Sequence, residues 1–154
     1  MKSDKLSKAL NIASSVHNYY DKGGTSYILH PIRIMMRLRT DDEELMCVAV
    51  LHDVVEDSDI TIAALREEGF SERILEALEL LTHREADSYQ EYIERIALNY
   101  DAVLVKMQDL RDNMDASRLK GATEKDIERM GKYMRSYNYL KGIRESFESC
   151  IRGC

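Results

Sequence analysis

The sequence predicts an all-α fold, a compact bundle of about seven or eight helices forming one domain over residues 1–154. Three observations predict it. Apolar residues recur at helical spacing along most of the chain, no stretch alternates with a period of two, and breakers are sparse, with one proline and 7 glycines. A chain of 154 residues is long enough to bury a real core.

A first helix is expected over residues 4–20, with Leu6, Leu10, Ala13 and Val16 on one face. Asp21-Lys22-Gly23-Gly24-Thr25-Ser26 reads as a turn. His30-Pro31 opens a second helix, because proline suits the first helical turn, and this helix runs to about Arg39. Asp41 with Glu44 three residues on is a capping signal for a third helix. That helix passes through Leu45-Met46-Cys47-Val48-Ala49-Val50 into Leu51-His52-Asp53-Val54-Val55-Glu56-Asp57. Asp59 is expected to cap a short helix closed by Gly69, and Ser71 starts another through Leu81. Ser88-x-x-Glu91 and Thr123-x-x-Asp126 are capping-box signals for helices reaching about Leu98 and Ser149. Between them, residues 101–112 read as a helix with Val103, Leu104 and Met107 apolar.

Composition narrows the function. The formal net charge of -6 argues against a broad surface for duplex nucleic acid, while leaving room for a nucleotide in one pocket. No apolar run is long enough to span a bilayer, and no signal-type segment follows Met1-Lys2-Ser3. A cytoplasmic location is therefore expected. Cys47 reads as a small core residue, Cys150 and Cys154 as exposed tail residues, and no disulfide framework is expected. Tyr133, Tyr137 and Tyr139 read as packing or a subunit contact, which leaves an oligomer open.

The run from His52 to Asp57 carries the chemistry. Placed near a helix C-terminus, its three acids oppose the helix dipole. His52 and Glu56 are four apart, as are Asp53 and Asp57, giving two adjacent stripes. A bound cation would hold such a cluster together. A rigid metal site draws ligands from several elements, and two other segments suit: His30, at a helix start behind a glycine-containing loop, and Asp109, which interrupts a largely apolar helix. Plainer readings stand beside these. His30 could be satisfied by backbone, His52-Asp53 could be a surface pair, Glu56 and Asp57 could be solvated, and Asp109 could pair with Lys106 or Arg111. Asp59 reads as a cap, His17 and His83 as structural or exposed, and Arg111 and Arg118 as phosphate contacts or surface ion pairs.

A separate histidine, a His-Asp dyad on a helix and a later aspartate resemble the HD-domain metal-dependent phosphohydrolases. Gly24-Thr25-Ser26-Tyr27-Ile28-Leu29-His30-Pro31, the run from Leu51 to Asp57, and Val105-Lys106-Met107-Gln108-Asp109 followed by Asn113-Met114 are similar to the hydrolase domain of the bifunctional alarmone synthetase/hydrolases. The likeness is strongest to their small stand-alone relatives, the (p)ppGpp hydrolases, and covers roughly residues 8–120 in the same order.

The resemblance implies a compact HD-domain bundle. It implies that His30, His52, Asp53 and Asp109 hold a divalent metal ion, usually Mn2+ in this family, and that Glu56 and Asp57 position water and handle its proton. The implied reaction removes the 3′-pyrophosphate from (p)ppGpp, a small-molecule nucleotide, with Asn113 contacting the substrate and Lys22 supplying positive charge. Two departures bear on the substrate. The family's Arg-Lys pair falls in Tyr19-Tyr20-Asp21-Lys22 here, and its proline before the tyrosine is Ser26. An adenosine alarmone, NADPH, or a non-catalytic nucleotide-binding role are the competing expectations. The chain ends where synthetase and regulatory domains begin in the long enzymes, so alarmone synthesis is not expected.

Overall fold

The computed structural model describes residues 4–118 and 121–153. Its regular structure is helical: α1 Lys5–Val16, α2 Leu29–Arg37, α3 Glu43–Leu51, α4 Val54–Asp57, α5 Ile62–Glu67, α6 Glu72–Leu81, α7 Tyr89–Ile96, α8 Tyr100–Asn113, a 3-10 turn Ala116–Arg118, and α9 Glu124–Arg152. The all-α expectation holds. Among the described residues, eight α-helices have six residues or more, and the four-residue α4 is an addition the sequence did not announce. The one β feature among the described residues is an isolated antiparallel bridge between Tyr20 and Ser26, which closes the loop after α1.

The helix starts follow from side chains that satisfy free backbone N–H groups. Ser88 and Thr123 form the expected capping boxes with Glu91 and Asp126. Ser71 caps α6 as expected, accepting from Ile74 N–H. Other caps differ from expectation. Asp42, not Asp41, caps α3, and Glu44 turns away to accept from Ser71 Oγ and Arg73. Thr61, not Asp59, caps α5, and Asn99 caps α8. α1 stops at Val16, so residues 17–28 form a longer loop than the sequence suggested.

α3 is the axis of the core. Cys47, Val48, Ala49, Val50 and Leu51 are all 0% exposed, so it is apolar on every face rather than amphipathic. It packs against α1, α2, α6 and α8. Burying each Val or Leu there contributes about 1.5–3 kcal/mol. α8 lies against α2, α3, α6 and the long α9. This arrangement brings the start of α2, the end of α3 and the second half of α8 to one place.

The acidic run corrects one step of the sequence argument. α3 ends at Leu51, His52 and Asp53 turn the chain, and α4 starts afresh at Val54. Glu56 and Asp57 therefore sit in a separate one-turn helix that ends at Asp57, not on the C-terminal turn of α3. A single turn carries little of the macrodipole on which the sequence argument relied. What singles out the cluster is its side-chain geometry.

Cys47 is buried and Cys150 exposed, as expected. Cys154 and the residues before Asp4 lie outside the described residues. Among the described residues, no helix is long and apolar enough to cross a membrane.

Candidate metal centre

Three helices deliver the converging groups. His30 stands in the first turn of α2, His52 caps the C-terminus of α3, and Asp109 lies in α8. Their exposures are 3%, 3% and 5%. One ligating atom from each lies within 4.8 Å of the others, a span one cation can bridge. His30 Nε2 is 3.0 Å and His52 Nε2 is 3.6 Å from Asp109 Oδ1. Asp53 reaches the same place, its Oδ2 lying 3.1 Å from His52 Nε2 and 3.7 Å from His30 Nε2.

The imidazoles are oriented from behind. His30 Nδ1 is 2.6 Å from Asp112 Oδ2, and His52 Nδ1 is 2.7 Å from the Ala49 carbonyl. Both acceptors call for a proton on Nδ1, which leaves the Nε2 lone pairs facing the carboxylates. His52 Nε2 is buried with no hydrogen-bond partner, although Asp53 is 3.1 Å away. An orphaned buried nitrogen facing two acids is costly unless something positive joins them. The donor set of two nitrogens and two carboxylate oxygens suits a divalent ion of intermediate hardness. The residues therefore fit the metal that the fold implies.

The electrostatics agree. Burial alone would lower His30 and His52, but Asp109 and Asp112 beside His30, and Asp53 and Asp109 beside His52, override it and raise both. Burial opposes ionisation of Asp53, yet His52 brings its carboxyl down to about 2. Asp109 is held well below the usual carboxylate range despite burial, above all by Lys106, whose Nζ donates to Oδ2 at 2.8 Å. The cluster thus carries excess negative charge, which protons or a cation must balance.

Glu56 and Asp57 border this cluster. Glu56 Oε1 accepts from the His83 backbone N–H, and Asp57 Oδ2 lies 3.4 Å from the Tyr19 hydroxyl. Both acids are raised, mainly by burial of the carboxylate and also by the charge of Asp53. Tyr27 donates to Asp53 Oδ2 at 2.7 Å and stacks on Tyr19 with ring centroids 5.0 Å apart. His17 is 1% exposed, packs on the Tyr27 ring, and has Nδ1 3.9 Å from Asp57 Oδ2. Spacing along the chain offers it no acidic partner, and its place at the end of α1 brings it to these acids.

A cleft of about 550 Å³ opens beside the cluster, lined in part by Lys22, Asn113, Arg118, Arg129 and Tyr133. Asn113 is tied to the cluster through Nδ2, which donates to Asp109 Oδ1 at 3.1 Å. Lys22 is exposed at the rim, and Tyr133 lines the cleft as well as packing on the core. Arg118 forms ion pairs, as one of its two expected readings had it, but from a half-buried position: it bonds Asp112 and Asp21 at 2.7 and 3.2 Å, whereas Arg111 is exposed. Sequence reasoning missed Asp112, which is 1% exposed and ringed by Arg33, Arg37 and Arg118. The available signal was spacing: Asp109 and Asp112 are three apart on α8, as are His30 and Arg33 on α2.

Comparison with known proteins agrees with this architecture. No family profile matches the chain. A solved structure of a metazoan SpoT ortholog, described as hydrolysing ppGpp, superimposes with a TM-score of 0.75 at 24% identity, covering 99% of this chain and 97% of that one. The compact helical bundle is thus a fold shared with that structure, and in this chain His30, His52 and Asp109 are gathered at one point.

In sequence the chain is similar to guanosine-3′,5′-bis(diphosphate) 3′-pyrophosphohydrolases. The protein of that name from Haemophilus influenzae is 32% identical over 119 residues, 67% of this chain. The one from Aquifex aeolicus is 29% identical over 122 residues, 72% of this chain. The chain matches only 17% of the length of either relative.

Proposed function

We propose that this chain is a divalent-metal-dependent (p)ppGpp 3′-pyrophosphohydrolase that works as a single HD domain over residues 1–154. One observation carries the reading: ligating atoms of His30, His52 and Asp109, delivered by three helices, lie within 4.8 Å of one another, with Asp53 Oδ2 3.1 Å from His52 Nε2. The sequence likeness to proteins named 3′-pyrophosphohydrolases supports the substrate.

In this reading His30, His52, Asp53 and Asp109 hold the ion, which is manganese. When bound, the ion polarises a phosphoryl oxygen and makes water a better nucleophile at neutral pH. Asp53 and Asp109 balance its charge, and the Nδ1 contacts keep both imidazoles turned toward it. Glu56 and Asp57 orient the attacking water and take its proton, a task suited to carboxylates raised toward neutrality. Asn113 and Lys22 hold the nucleotide in the adjoining cleft, where Arg129 adds positive charge. The P–O bond to the 3′ oxygen breaks, one water is consumed, and ppGpp gives GDP and pyrophosphate. The negative net charge speaks against a duplex nucleic acid partner, and a cytoplasmic location goes with a soluble nucleotide substrate.

Incubation of the purified protein with ppGpp and Mn2+ tests this. Release of GDP and pyrophosphate in equal amounts is expected, and its abolition by EDTA. Bound Mn2+ without product would exclude this substrate. A second reading keeps the chemistry and changes the nucleotide to an adenosine alarmone or NADPH. It is favoured by Tyr19, which stands in the segment where the family carries its Arg-Lys pair and packs on Tyr27 instead of offering charge. The same assay run across those nucleotides separates the two.

A further inference from the structure

We infer that Asp112 is a positioning residue for the metal centre, fixing the tautomer and direction of His30 from a pocket of three arginines. The inference rests on the metal-site reading above and goes beyond it, because Asp112 meets His30 at Nδ1, not at the converging Nε2.

Three features of the geometry support it. First, the contact is short and buried: Asp112 Oδ2 lies 2.6 Å from His30 Nδ1, and the Asp112 side chain is 0% exposed. Second, the carboxylate is itself immobilised. Oδ1 accepts from Arg33 Nε at 2.8 Å with Arg37 at 3.3 Å, and Oδ2 accepts from Arg33 at 3.0 Å and Arg118 at 2.7 Å. A carboxylate among three guanidinium groups stays ionised and can only accept, so the proton in the His30 contact resides on Nδ1. Third, the consequence falls on the opposite nitrogen. With Nδ1–H committed, Nε2 is the atom that the neutral ring offers to a metal, and it faces Asp109 Oδ1 at 3.0 Å and Asp53 Oδ2 at 3.7 Å. A buried acid surrounded by arginines would otherwise be a plain ion cluster. Its use of Oδ2 to hold an imidazole whose far side faces two more acids makes it part of the site. Partners of this kind commonly change metal affinity by about 10–100-fold when replaced.

The arginines extend the support outward. Arg118 joins Asp112 to Asp21, and Asp21 in turn accepts from the backbone N–H groups of Gly23 and Thr25 in the loop that carries Lys22. The direction of His30 is thereby tied to the placement of the loop beside the cleft.

The test is Mn2+ titration calorimetry on the wild type and Asp112→Asn, with melting temperatures recorded in EDTA. The expected result is a Kd for Mn2+ raised about 10–100-fold in Asp112→Asn. A purely structural role predicts a lower melting temperature with an unchanged Kd, and that result overturns the inference. A wild type that binds no Mn2+ sinks the metal-site reading itself, a different failure visible before any variant is made. Should Asp112→Asn not fold, the wild type answers alone. With 15N-labelled histidine and diamagnetic Zn2+ as probe, His30 should show a protonated, hydrogen-bonded Nδ1. An unprotonated Nδ1 would overturn the assignment.

Discussion

The candidate metal centre and the cleft beside it adjoin, yet they are built on different terms. His30, His52 and Asp109 project from helices in the middle of the core, and each is held by another partner: Asp112, the Ala49 carbonyl and Lys106. The cleft takes Lys22 from an exposed loop and Arg129 from the first turns of α9. Groups of the first kind have almost no freedom, so their geometry is fixed before any ligand arrives. Groups of the second kind are solvated and screened, so each contributes little and can change without disturbing the fold. Under the proposed function, the reaction belongs to the core and the choice of nucleotide to the rim.

The largest effect should come from the core. Asp109→Ala should abolish Mn2+ binding and lower turnover by about 10³-fold or more. It also strands Lys106, which is nearly buried against Asp109, so stability should fall by about 3–5 kcal/mol. The double change Asp109→Ala with Lys106→Met should recover much of the melting temperature and none of the activity. Recovery of activity would show that Asp109 serves only as a partner for Lys106.

Next comes the boundary between the two regions. Glu56→Gln should reduce kcat by about 10²–10⁴-fold while leaving the Kd for Mn2+ unchanged. The pH dependence has a definite sign. Burial raises Glu56, so its ionised, proton-accepting form is lost at a pH above that of an ordinary glutamate near ~4.3. In the wild type kcat should therefore fall on acidification through that higher value. An acid limb at the ordinary position in a kcat–pH profile would count against Glu56 as the proton acceptor.

A smaller effect is expected at the rim. Lys22→Ala should raise KM by about tenfold and leave kcat within a factor of two or three, because an exposed charge binds ground and transition states alike. Equal loss of kcat would mean that Lys22 acts on the reacting phosphate, and the division between core and rim would fail there. The smallest effect serves as a control. Ser88→Ala removes one half of a capping box that makes no hydrogen bond to the site residues and should cost ~1 kcal/mol in stability with no change in kcat/KM.

Much of the fold was legible because helix starts announce themselves. The Ser88–Glu91 and Thr123–Asp126 signals depend only on neighbours in sequence, and both form as read. Asp41 and Asp59 lost their expected roles to Asp42 and Thr61, since several adjacent polar residues can cap and packing selects among them. The break between α3 and α4 was hidden: nothing local in Leu51-His52-Asp53-Val54 stops a helix, and tertiary packing sets the turn. In the site, the motif segments were visible as residue types at fixed spacing. Asp112 was not, because its meaning lies in Arg33, Arg37 and Arg118 from other segments, and on α8 it reads as one more acid near a helix end. His17 was passed over for the same reason, its neighbours Tyr27 and Asp57 being distant along the chain.

Pulsed electron paramagnetic resonance on the Mn2+-loaded, 15N-histidine-labelled protein tests the central claim most directly. One ion per chain, coupled to two imidazole nitrogens that disappear one each in His30→Gln and His52→Gln, is the predicted result. Mn2+ that binds with no histidine coupling would contradict the account.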